Sequence, residues 1–546
     1  MLGLMLDEPL LLTSLLWRTE RLYHDKQIVT RLASGGYHSY TYREFGQRVR
    51  QLANVLTSLD VRHGARVGTL AWNHYRHLEA YYAVPGMGAT LHTVNMRLFE
   101  DQQAYTINHA GTEVMLFDAD QIGTMERLVE IGIPAVRAFV VMGDGPCPES
   151  TLRPLYAYED LMGAASADFE FPTFDEHTAA AICYTSATTG DPKGVVYSHR
   201  ALVLQSLILG MNGMLGVSED AVWMPISPMF HANAWCVPHT CLAQGATIVL
   251  TGEHPLDRDY LQIIEDQGVT GANAAVTVGQ MMRDCIETGR ETFDLSSLKL
   301  LWLGAQAPPR GLLEWWDVNN ATRAFTGYGM TESSPQVCFN STKSTLRGTD
   351  LEEDWRRRTS GGLPIPLMRI KIVDESDREL PWDGQSVGTV CLRSPYTASG
   401  YLGVAPDPAA PAGWFRTGDV ATIDPDGYVT VKDRISDHIK SGGEWISSID
   451  LENALMTHPS IREAMVIAMP HEKWQERPVA LVVPRGPRPD ESELLSYLQG
   501  RFAKWWLPDE FIWMTQLPKT SMGKMDKKLA RQSLDELRQA SPVSQG

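Results

Sequence analysis

The chain has 546 residues, of which 43% are hydrophobic and 21% are charged. This length and composition predict a folded protein of more than one domain, whose core forms without disulfides or metals. The 48 lysines and arginines against 66 aspartates and glutamates give a formal net charge of -18. Such an acidic balance argues against a general nucleic-acid binder, although it permits a locally basic pocket for phosphates.

Predicted strands and helices alternate along the chain. In chain order they are strand 66–71, helix 74–87, strands 114–118, 138–142 and 179–183, helix 201–217, strand 246–250, helix 256–267 and strand 298–303. The alternation predicts an α/β fold of largely parallel sheets with helical layers. A new alternation of helix and strands begins after a candidate domain boundary at 427–437. It consists of a predicted helix at 447–456 and predicted strands at 461–469 and 479–483. The Pro/Ala-rich segment 404–413 is predicted to be a surface loop.

The N-terminal segment and the cysteines bear on where the protein resides. Residues 1–18 contain an apolar run that Asp7, Glu8 and Pro9 interrupt, and no basic stretch precedes it. We therefore expect a buried first segment rather than a signal peptide, and a buried helix rather than a membrane span at 201–217. The seven cysteines form no CxxC pair and are predicted to be mostly buried, reduced thiols. These features predict a cytoplasmic protein.

Residues 184–194 read Tyr-Thr-Ser-Ala-Thr-Thr-Gly-Asp-Pro-Lys-Gly and follow the predicted strand 179–183. Small residues let the backbone approach a polyphosphate, hydroxyl and N–H groups donate to its oxygens, and Lys193 adds positive charge. The GxxxxGK[ST] spacing of a Walker loop is absent. The segment is a candidate phosphate-binding loop, with a flexible surface turn as the alternative interpretation.

This segment resembles the phosphate-binding signature of the adenylate-forming superfamily of acyl-CoA synthetases, luciferases and peptide-synthetase adenylation domains. Four further resemblances follow in that superfamily's order: TGYGMTE at 326–332, WFRTGD at 414–419, DRISD with KSGGE at 433–444, and the lysine motif at 517–524. Segments 70–73, 231–235 and 471–474 are most similar to bacterial medium-chain fatty acyl-CoA ligases and methylmercaptopropionate-CoA ligases.

The resemblance implies an enzyme that activates a carboxylic acid with ATP as an acyl-AMP, releases pyrophosphate, and transfers the acyl group to coenzyme A. Two anions must meet, so charge neutralisation and alignment dominate the barrier. By resemblance, Lys524 and Glu332 are catalytic: Lys524 would reach the α-phosphate and the acid, while Glu332 and Thr185 would hold Mg²⁺. Taken alone, Lys524 would be a solvated side chain.

The same resemblance implies a nucleotide site. Tyr328 would stack on adenine, and Asp419 and Arg434 would bind the ribose. The residues expected to contact ATP or AMP are Thr185, Ser186, Thr188, Thr189, Gly190, Lys193, Gly327, Tyr328, Gly329, Met330, Thr331, Asp419 and Arg434. Taken alone, Asp419 in its Thr-Gly-Asp turn is more often a turn former, and only the ordered set of motifs favours the binding role.

Two domains are implied as well: a large N-terminal domain of helix-flanked sheets (1–433), a hinge (434–437) and a small, mobile α+β domain (438–546). Ser436 matches the pivot position, where relatives carry Asp or Lys. Rotation of the small domain would withdraw Lys524 and bring a CoA tunnel into place. The tunnel residues are Gly442, Gly443, Glu444 and Trp445.

The acid pocket is implied to contain His231, Trp235, Ala275, Gly304 and Ala305. Trp235 would form a flat apolar wall that limits chain length or shape; an ordinary core tryptophan is the alternative. The chain departs from its relatives at Ala187, where they have glycine, at Ala275 and Val276, and at 304–307. The changes in the pocket favour a specialised acid over a generic fatty acid. Together with the resemblance to medium-chain ligases, they imply a medium-chain or specialised apolar acid.

Two other functions are compatible with the motifs. One is an adenylating amide ligase that passes the acyl group to an amine or amino acid, because the tunnel residues do not exclude that acceptor. The other is a non-catalytic binding protein of the same fold, which the retained Glu332, Asp419, Arg434 and Lys524 argue against. We expect no nucleic-acid partner and no integral membrane segment, and a homodimer is compatible with the chain.

Overall fold

The structure is a computed structural model that describes residues 3–185, 191–289, 291–348, 350–405, 413–435, 437–441, 444–519 and 525–540, with only the backbone at 444–445 and 535–540. Its helices are α1 (Leu12–Leu22), α2 (Tyr42–Ser58), α3 (Tyr75–Gly86), α4 (Glu100–Ala110), α5 (Ile122–Ile131), α6 (Tyr158–Ala164), α7 (His199–Gly210), α8 (Ala232–Trp235), α9 (Val237–Gln244), α10 (Asp257–Gln267), α11 (Val276–Glu287), α12 (Arg310–Asn320), α13 (Leu351–Arg358), α14 (Ser448–Met456), α15 (Glu491–Gln499) and α16 (Lys527–Ala540).

The strands are β1 (Gln27–Arg31), β2 (Tyr37–Thr41), β3 (Arg66–Leu70), β4 (Thr90–Thr93), β5 (Val114–Asp118), β6 (Ala138–Met142), β7 (Leu155–Ala157), β8 (Ala179–Tyr184), β9 (Gly194–Ser198), β10 (Val222–Pro225), β11 (Thr247–Leu250), β12 (Gly271–Ala275), β13 (Leu300–Gly304), β14 (Arg323–Phe325), β15 (Gly327–Gly329), β16 (Gln336–Phe339), β17 (Leu363–Pro364), β18 (Arg369–Val373), β19 (Gly388–Arg393), β20 (Phe415–Ile423), β21 (Val429–Arg434), β22 (Ile439–Ser441), β23 (Glu444–Ile446), β24 (Ile461–His471), β25 (Gln475–Pro484) and β26 (Glu510–Trp513).

Two seven-stranded sheets form the body of the protein, in the orders β7-β6-β5-β3-β4-β8-β9 and β14-β13-β12-β10-β11-β1-β2. Both are parallel except for one antiparallel pair each, β8 with β9 and β1 with β2. Every residue of β5 and β6 is buried, as expected for strands covered on both faces. Parallel strands bring their carboxyl ends to one edge, where ligands of such sheets bind.

Smaller antiparallel sheets follow. Strands β15–β17 form one and β18–β21 another. The strand β21 pairs with β20 over residues 419–434, so the first part of the candidate boundary segment belongs to this sheet.

The C-terminal part builds its own core around β24 and β25. Alternate residues of β24 face opposite sides, as the period of a strand requires. Ala464, Val466 and Ala468 pack with α14 and α15, whereas Met465 and Ile467 pack with α16. Both clusters contain only residues between 439 and 534. The α/β class with a separate C-terminal domain is therefore confirmed, while the domain limits at 433 and 438 stay a prediction.

The element predictions agree closely with the structure, with two differences. The predicted helix 201–217 is shorter, because α7 ends at Gly210. The expected buried first segment is wrong for its first residues, since the side chains of Leu4 and Leu6 are more than nine-tenths exposed, and the first buried residue is Leu11.

The remaining sequence predictions concern thiols, membranes and one loop. The cysteines are free and five of the seven are buried; Cys147 is exposed and Cys285 is intermediate. Among the described residues, no helix has the length and apolar character needed to cross a membrane. Most of the predicted loop 404–413 lies outside the described residues, and its first residue, Val404, is exposed.

Asn73 ties the two large sheets together. It follows β3, and its buried amide nitrogen donates to the carbonyl oxygens of Pro225 (2.9 Å), the last residue of β10, and of Ser227 (3.0 Å) just after it. Its amide oxygen accepts from the Met229 N–H at 2.7 Å. One side chain thus satisfies three buried backbone groups of the segment that leads to His231.

We expect Asn73→Ala to lower the free energy of unfolding of the N-terminal domain by about 2–4 kcal/mol, because three buried backbone groups lose their partner. Urea denaturation measures the loss. The matched control is Asn319→Ala, whose exposed amide donates to the Trp315 carbonyl, and it should change stability by less than about 0.5 kcal/mol. Equal effects of the two substitutions would show that Asn73 does not hold this segment.

Candidate active site

The base of the candidate phosphate loop is closed by two hydrogen bonds. The Thr185 N–H donates to the Lys193 carbonyl at 3.0 Å, and the Lys193 N–H donates to the Thr185 hydroxyl at 3.3 Å. The antiparallel pair β8 and β9 produces this closure. Ser186, Thr188, Thr189, Gly190 and the atypical Ala187 lie outside the described residues, so their phosphate contacts stay a prediction.

Glu332 lies beside this loop and is 7% exposed. The Tyr401 hydroxyl donates to the Glu332 carboxylate at 2.6 Å, and the Lys193 ammonium lies 4.9 Å from the centre of the Tyr401 ring. Burial, together with the Glu332 carboxylate, raises the pKa of Tyr401 well above its ordinary value, so the hydroxyl stays a donor. Tyr401 therefore links the predicted metal ligand to the lysine of the phosphate loop.

A second buried carboxylate belongs to Asp419 on β20. The Tyr328 hydroxyl donates to it at 2.7 Å, and the Arg434 guanidinium lies 3.4 Å from its other oxygen. Asp419 and Arg434 face each other directly across β20 and β21. Burial and the Asp419 carboxylate raise the pKa of Tyr328 well above its usual range. The structure thus brings together the three residues predicted to bind adenine and ribose.

The glycines on either side of Tyr328 allow β15 to lie close to β16, with the Tyr328 hydroxyl bonded to Asp419. A β-carbon at Gly327 would lie 2.6 Å from the Cys338 carbonyl oxygen, and one at Gly329 would lie 2.5 Å from that of Pro335. Both distances are too short for any side chain, and both obstacles are backbone. The GYG spacing is therefore required by the close pairing of β15 with β16.

In the motif at 326–332, Met330 and Thr331 are held in place by hydrogen bonds of their backbone groups. Thr331 is buried, and its carbonyl accepts from the Tyr197 hydroxyl at 2.7 Å. The Met330 N–H donates to the Pro335 carbonyl at 2.8 Å. Sequence reasoning missed Tyr197 and Tyr401, because both tyrosines lie outside the motifs that indicate the site.

The predicted acid-pocket residues meet at the carboxyl ends of β12 and β13. Ala275 pairs with Gly304 across the two strands. A β-carbon at Gly304 would lie 2.9 Å from the Trp235 ring, so glycine is needed for this close approach. His231 is buried and directly precedes the turn that carries Trp235. Ala305 has φ +71°, a left-handed conformation that alanine adopts at some cost.

Residues 232–236, which include the short element α8, form a left-handed turn and not a regular α-helix, and this turn is strained. Ala232, Asn233, Ala234, Trp235 and Cys236 have φ between 45° and 62°, although none of them is glycine. Left-handed backbone costs such residues about 1–2 kcal/mol each. Strained backbone conformations are most frequent at functional sites, and they persist only where the surrounding structure imposes them.

Buried partners impose this conformation. The Cys183 thiol donates to the Asn233 amide oxygen at 3.1 Å. The Asn273 amide nitrogen donates to the Ala234 carbonyl at 3.4 Å, and Asn273 also accepts from the Trp223 indole. The position of Trp235 therefore depends on β8 and β12, which lie in different sheets.

Several predicted residues cannot be placed. Lys524, Ser436, Gly442 and Gly443 lie outside the described residues. The backbones of Glu444 and Trp445 form β23, which pairs with β22. The catalytic, hinge and tunnel roles of these residues stay predictions.

Fold and site together define an adenylate-forming enzyme. The family model described as AMP-binding enzyme matches residues 16–402, and the one described as AMP-binding enzyme C-terminal domain matches residues 450–524. The chain belongs to the AMP-binding enzyme family.

Three comparisons show how similar its relatives are. A long-chain-fatty-acid–CoA ligase of Thermus thermophilus is 44% identical over 97% of this chain and 96% of its own length. A 3-methylmercaptopropionyl-CoA ligase of Ruegeria lacuscaerulensis is 38% identical over 99% of both chains. The crystal structure of an anthranilate CoA ligase in complex with anthranoyl-AMP superposes with a TM-score of 0.86 over 98% of this chain and 99% of its own, at 24% identity. The resemblance to the superfamily is confirmed.

We expect Tyr401→Phe to weaken binding of ATP with Mg²⁺ by about tenfold or more, because the Glu332 carboxylate loses a hydrogen bond of about 1.5–3 kcal/mol. Isothermal titration calorimetry measures the dissociation constant. The control is Tyr396→Phe, whose buried hydroxyl donates to the Pro366 carbonyl instead. Unchanged ATP binding in Tyr401→Phe would exclude Tyr401 as the residue that positions Glu332.

Proposed function

We propose that this protein is an ATP-dependent acid–thiol ligase, an AMP-forming acyl-CoA synthetase. The observation that carries the proposal is a pair of buried, tyrosine-bonded carboxylates. Glu332 is bonded to Tyr401, which contacts Lys193 of the phosphate loop, and Asp419 lies between Tyr328 and Arg434. Full-length relatives at 44% and 38% identity that are named as CoA ligases support it.

In the first half-reaction an oxygen of the acid carboxylate attacks the α-phosphorus of ATP. A bond forms to that phosphorus, and the bond to pyrophosphate breaks. Lys524 would neutralise the charge that develops between the two anions. Asp419 and Arg434 would hold the ribose, with Tyr328 positioning Asp419 through its hydroxyl.

Glu332 and Thr185 fit a magnesium ion shared with the substrate. Mg²⁺ in such enzymes keeps several waters and binds through one or two carboxylates together with substrate phosphates. The described part of the chain has no group of three or more His, Cys, Asp or Glu side chains arranged to hold a metal alone. One buried carboxylate and one hydroxyl beside a phosphate loop suit the shared arrangement, in which the ion would neutralise phosphate charge.

The acid is proposed to be a medium-chain or specialised apolar acid. Trp235 supports this, because it is buried against Gly304 and against a second tryptophan, Trp302, whose ring centre is 4.9 Å away. Such a wall favours an apolar acid of limited length. We also propose that the enzyme works in the cytoplasm and that it forms a homodimer.

Coenzyme A is the proposed acceptor of the second half-reaction. The small domain, 438–546, would turn about the hinge 434–437 at Ser436 and bring Gly442, Gly443, Glu444 and Trp445 against the pantetheine arm. The alternative acceptor is an amine, as in an amide ligase. Mass spectrometry of the products made from acid, ATP and either CoA or mixed amino acids separates the two; amide without thioester would overturn the CoA proposal.

Lys524→Ala should reduce acid-dependent pyrophosphate release by at least about 100-fold, since a charge aimed at the transition state is removed. ATP affinity should change little. Lys528→Ala is the control, because Lys528 is exposed and in the same segment. Near-normal pyrophosphate release by the Lys524 variant would remove this lysine from the mechanism.

Gly443→Leu should still form and retain acyl-AMP but fail to make thioester, because a bulky side chain would block the tunnel and leave the ATP contacts unchanged. Single-turnover pyrophosphate release and thioester yield from preformed acyl-AMP separate the two steps. Gly486→Leu is the control, since nothing lies within 4 Å of a β-carbon there. A parallel loss of both half-reactions would contradict the tunnel assignment.

A further inference from the structure

Tyr184 is the last residue of β8 and the first residue of the phosphate-loop motif. It is buried, and its side chain packs with Ala110 at the end of α4, with Ile182 on β8 and with Leu402. These residues form a small apolar cluster of their own beneath the start of the loop. The beginning of the phosphate loop is therefore anchored by a buried aromatic side chain.

His109 makes the polar contact of this side chain. The Tyr184 hydroxyl lies 2.8 Å from Nδ1 of His109, which is the residue before last in α4. Burial raises the pKa of Tyr184 well above its usual range, so the hydroxyl keeps its proton and donates this hydrogen bond whenever Nδ1 carries no proton. Tyr105, one helical turn earlier, stacks on the imidazole with ring centres 5.4 Å apart and planes at 14°. A hydrogen bond and a stacked ring thus fix the orientation of the imidazole.

The end of the phosphate-loop motif lies against the same tyrosine. Gly194, the last residue of the motif, pairs with Tyr184 across β8 and β9. A β-carbon at Gly194 would lie 3.1 Å from the Tyr184 ring, so glycine lets the backbone approach this closely. The Leu402 N–H donates to the Gly194 carbonyl at 2.8 Å. Both ends of the loop and the segment that follows Tyr401 therefore meet at the Tyr184 ring.

His109 also lies beside the turn that carries Tyr401. The Val404 N–H donates to the Tyr401 carbonyl at 3.1 Å, which closes this turn. Within the turn, Gly403 has φ +69°, a conformation that favours glycine, and a β-carbon there would lie 3.1 Å from Nε2 of His109. One imidazole thus bonds to Tyr184 through Nδ1 and supports the turn of Tyr401 on its Nε2 side.

We propose that His109 is a positioning residue for MgATP, which fixes the base of the phosphate loop through Tyr184 and supports the turn that holds Tyr401 against Glu332. This inference rests on the proposed function and adds to it a residue outside the sequence motifs. A loop whose base is anchored has less freedom to lose when it closes on a ligand, so the ligand binds more tightly. The loop would hold the phosphates in the ground state and in the transition state alike, so His109 contributes to ATP binding rather than to the chemical step.

The test compares MgATP binding with turnover. Isothermal titration calorimetry without acid gives the dissociation constant of MgATP, and pyrophosphate release gives kcat with the best of the straight-chain acids from butanoate to dodecanoate. In His109→Leu and in Tyr184→Phe we expect the dissociation constant to rise about three- to tenfold, which is the effect of one lost hydrogen bond. Both kcat and the KM for the acid should change less than about twofold, because uniform binding of the phosphates is what is lost.

Two further variants test whether the effect passes through this hydrogen bond. His109→Leu combined with Tyr184→Phe should bind MgATP no more weakly than His109→Leu alone, since both substitutions remove the same bond. His109→Asn should restore most of the affinity, because the amide oxygen of asparagine can take the place of Nδ1 as an acceptor.

Asn108→Ala is the matched control. Asn108 precedes His109 in α4, is exposed, and donates to the Gly132 carbonyl at 2.7 Å. The variant therefore loses a hydrogen bond at the same end of the same helix, on a side chain that bonds to a different loop. Its dissociation constant for MgATP should equal that of the wild type.

The inference is overturned by an unchanged dissociation constant in folded His109→Leu or, where that variant fails to fold, in Tyr184→Phe, which keeps the ring. Additive losses in the double variant, or an equal loss in Asn108→Ala, overturn it too. A purely structural role would lower the urea midpoint of unfolding and leave the dissociation constant unchanged. A wild-type protein that binds MgATP but releases pyrophosphate with none of these acids overturns the proposed function alone, whereas one that binds no MgATP overturns both.

Discussion

Two carboxylates, Glu332 and Asp419, are buried in this protein with tyrosine hydroxyls as their hydrogen-bond donors. A charge removed from water is costly unless it is paired and hydrogen-bonded. The Tyr401 and Tyr328 hydroxyls donate the hydrogen bonds that the buried carboxylates require. Each carboxylate keeps lone pairs with which it can bind a ligand. Because these donors come from distant segments, β15 and the segment between β19 and β20 must meet here for both carboxylates to be tolerated.

The acid side of the site depends on a different constraint, which is strained backbone. Five successive left-handed residues present Trp235, and contacts from both large sheets hold them. Asn73 fixes the approach to this turn from the other sheet. The two seven-stranded sheets are thus coupled where the acid would bind, and a rigid pocket can select an acid by size.

Much of the architecture was predictable from periodicity. Continuous apolar runs such as β5 and β6 predict strands buried on both faces, and they were placed without error. The motif order likewise predicted that Tyr328, Asp419 and Arg434 would meet. The end of α7 at Gly210 was not predicted, since the apolar composition continues past it and only the turn at 211–216 interrupts the helix. The exposed start at Leu4 and Leu6 was missed for a similar reason, because hydrophobicity does not require burial.

By itself the sequence determined the fold class and the family, and it predicts the nucleotide-site residues. These follow from local patterns and from motif spacing, which can be recognised in the amino-acid sequence alone. Only the tertiary structure decided that Tyr401 bonds to Glu332, that residues 232–236 are left-handed without a glycine, and that Trp302 packs against Trp235. Each of these arises from contacts between segments tens of residues apart, and such contacts leave no local periodicity that would predict them.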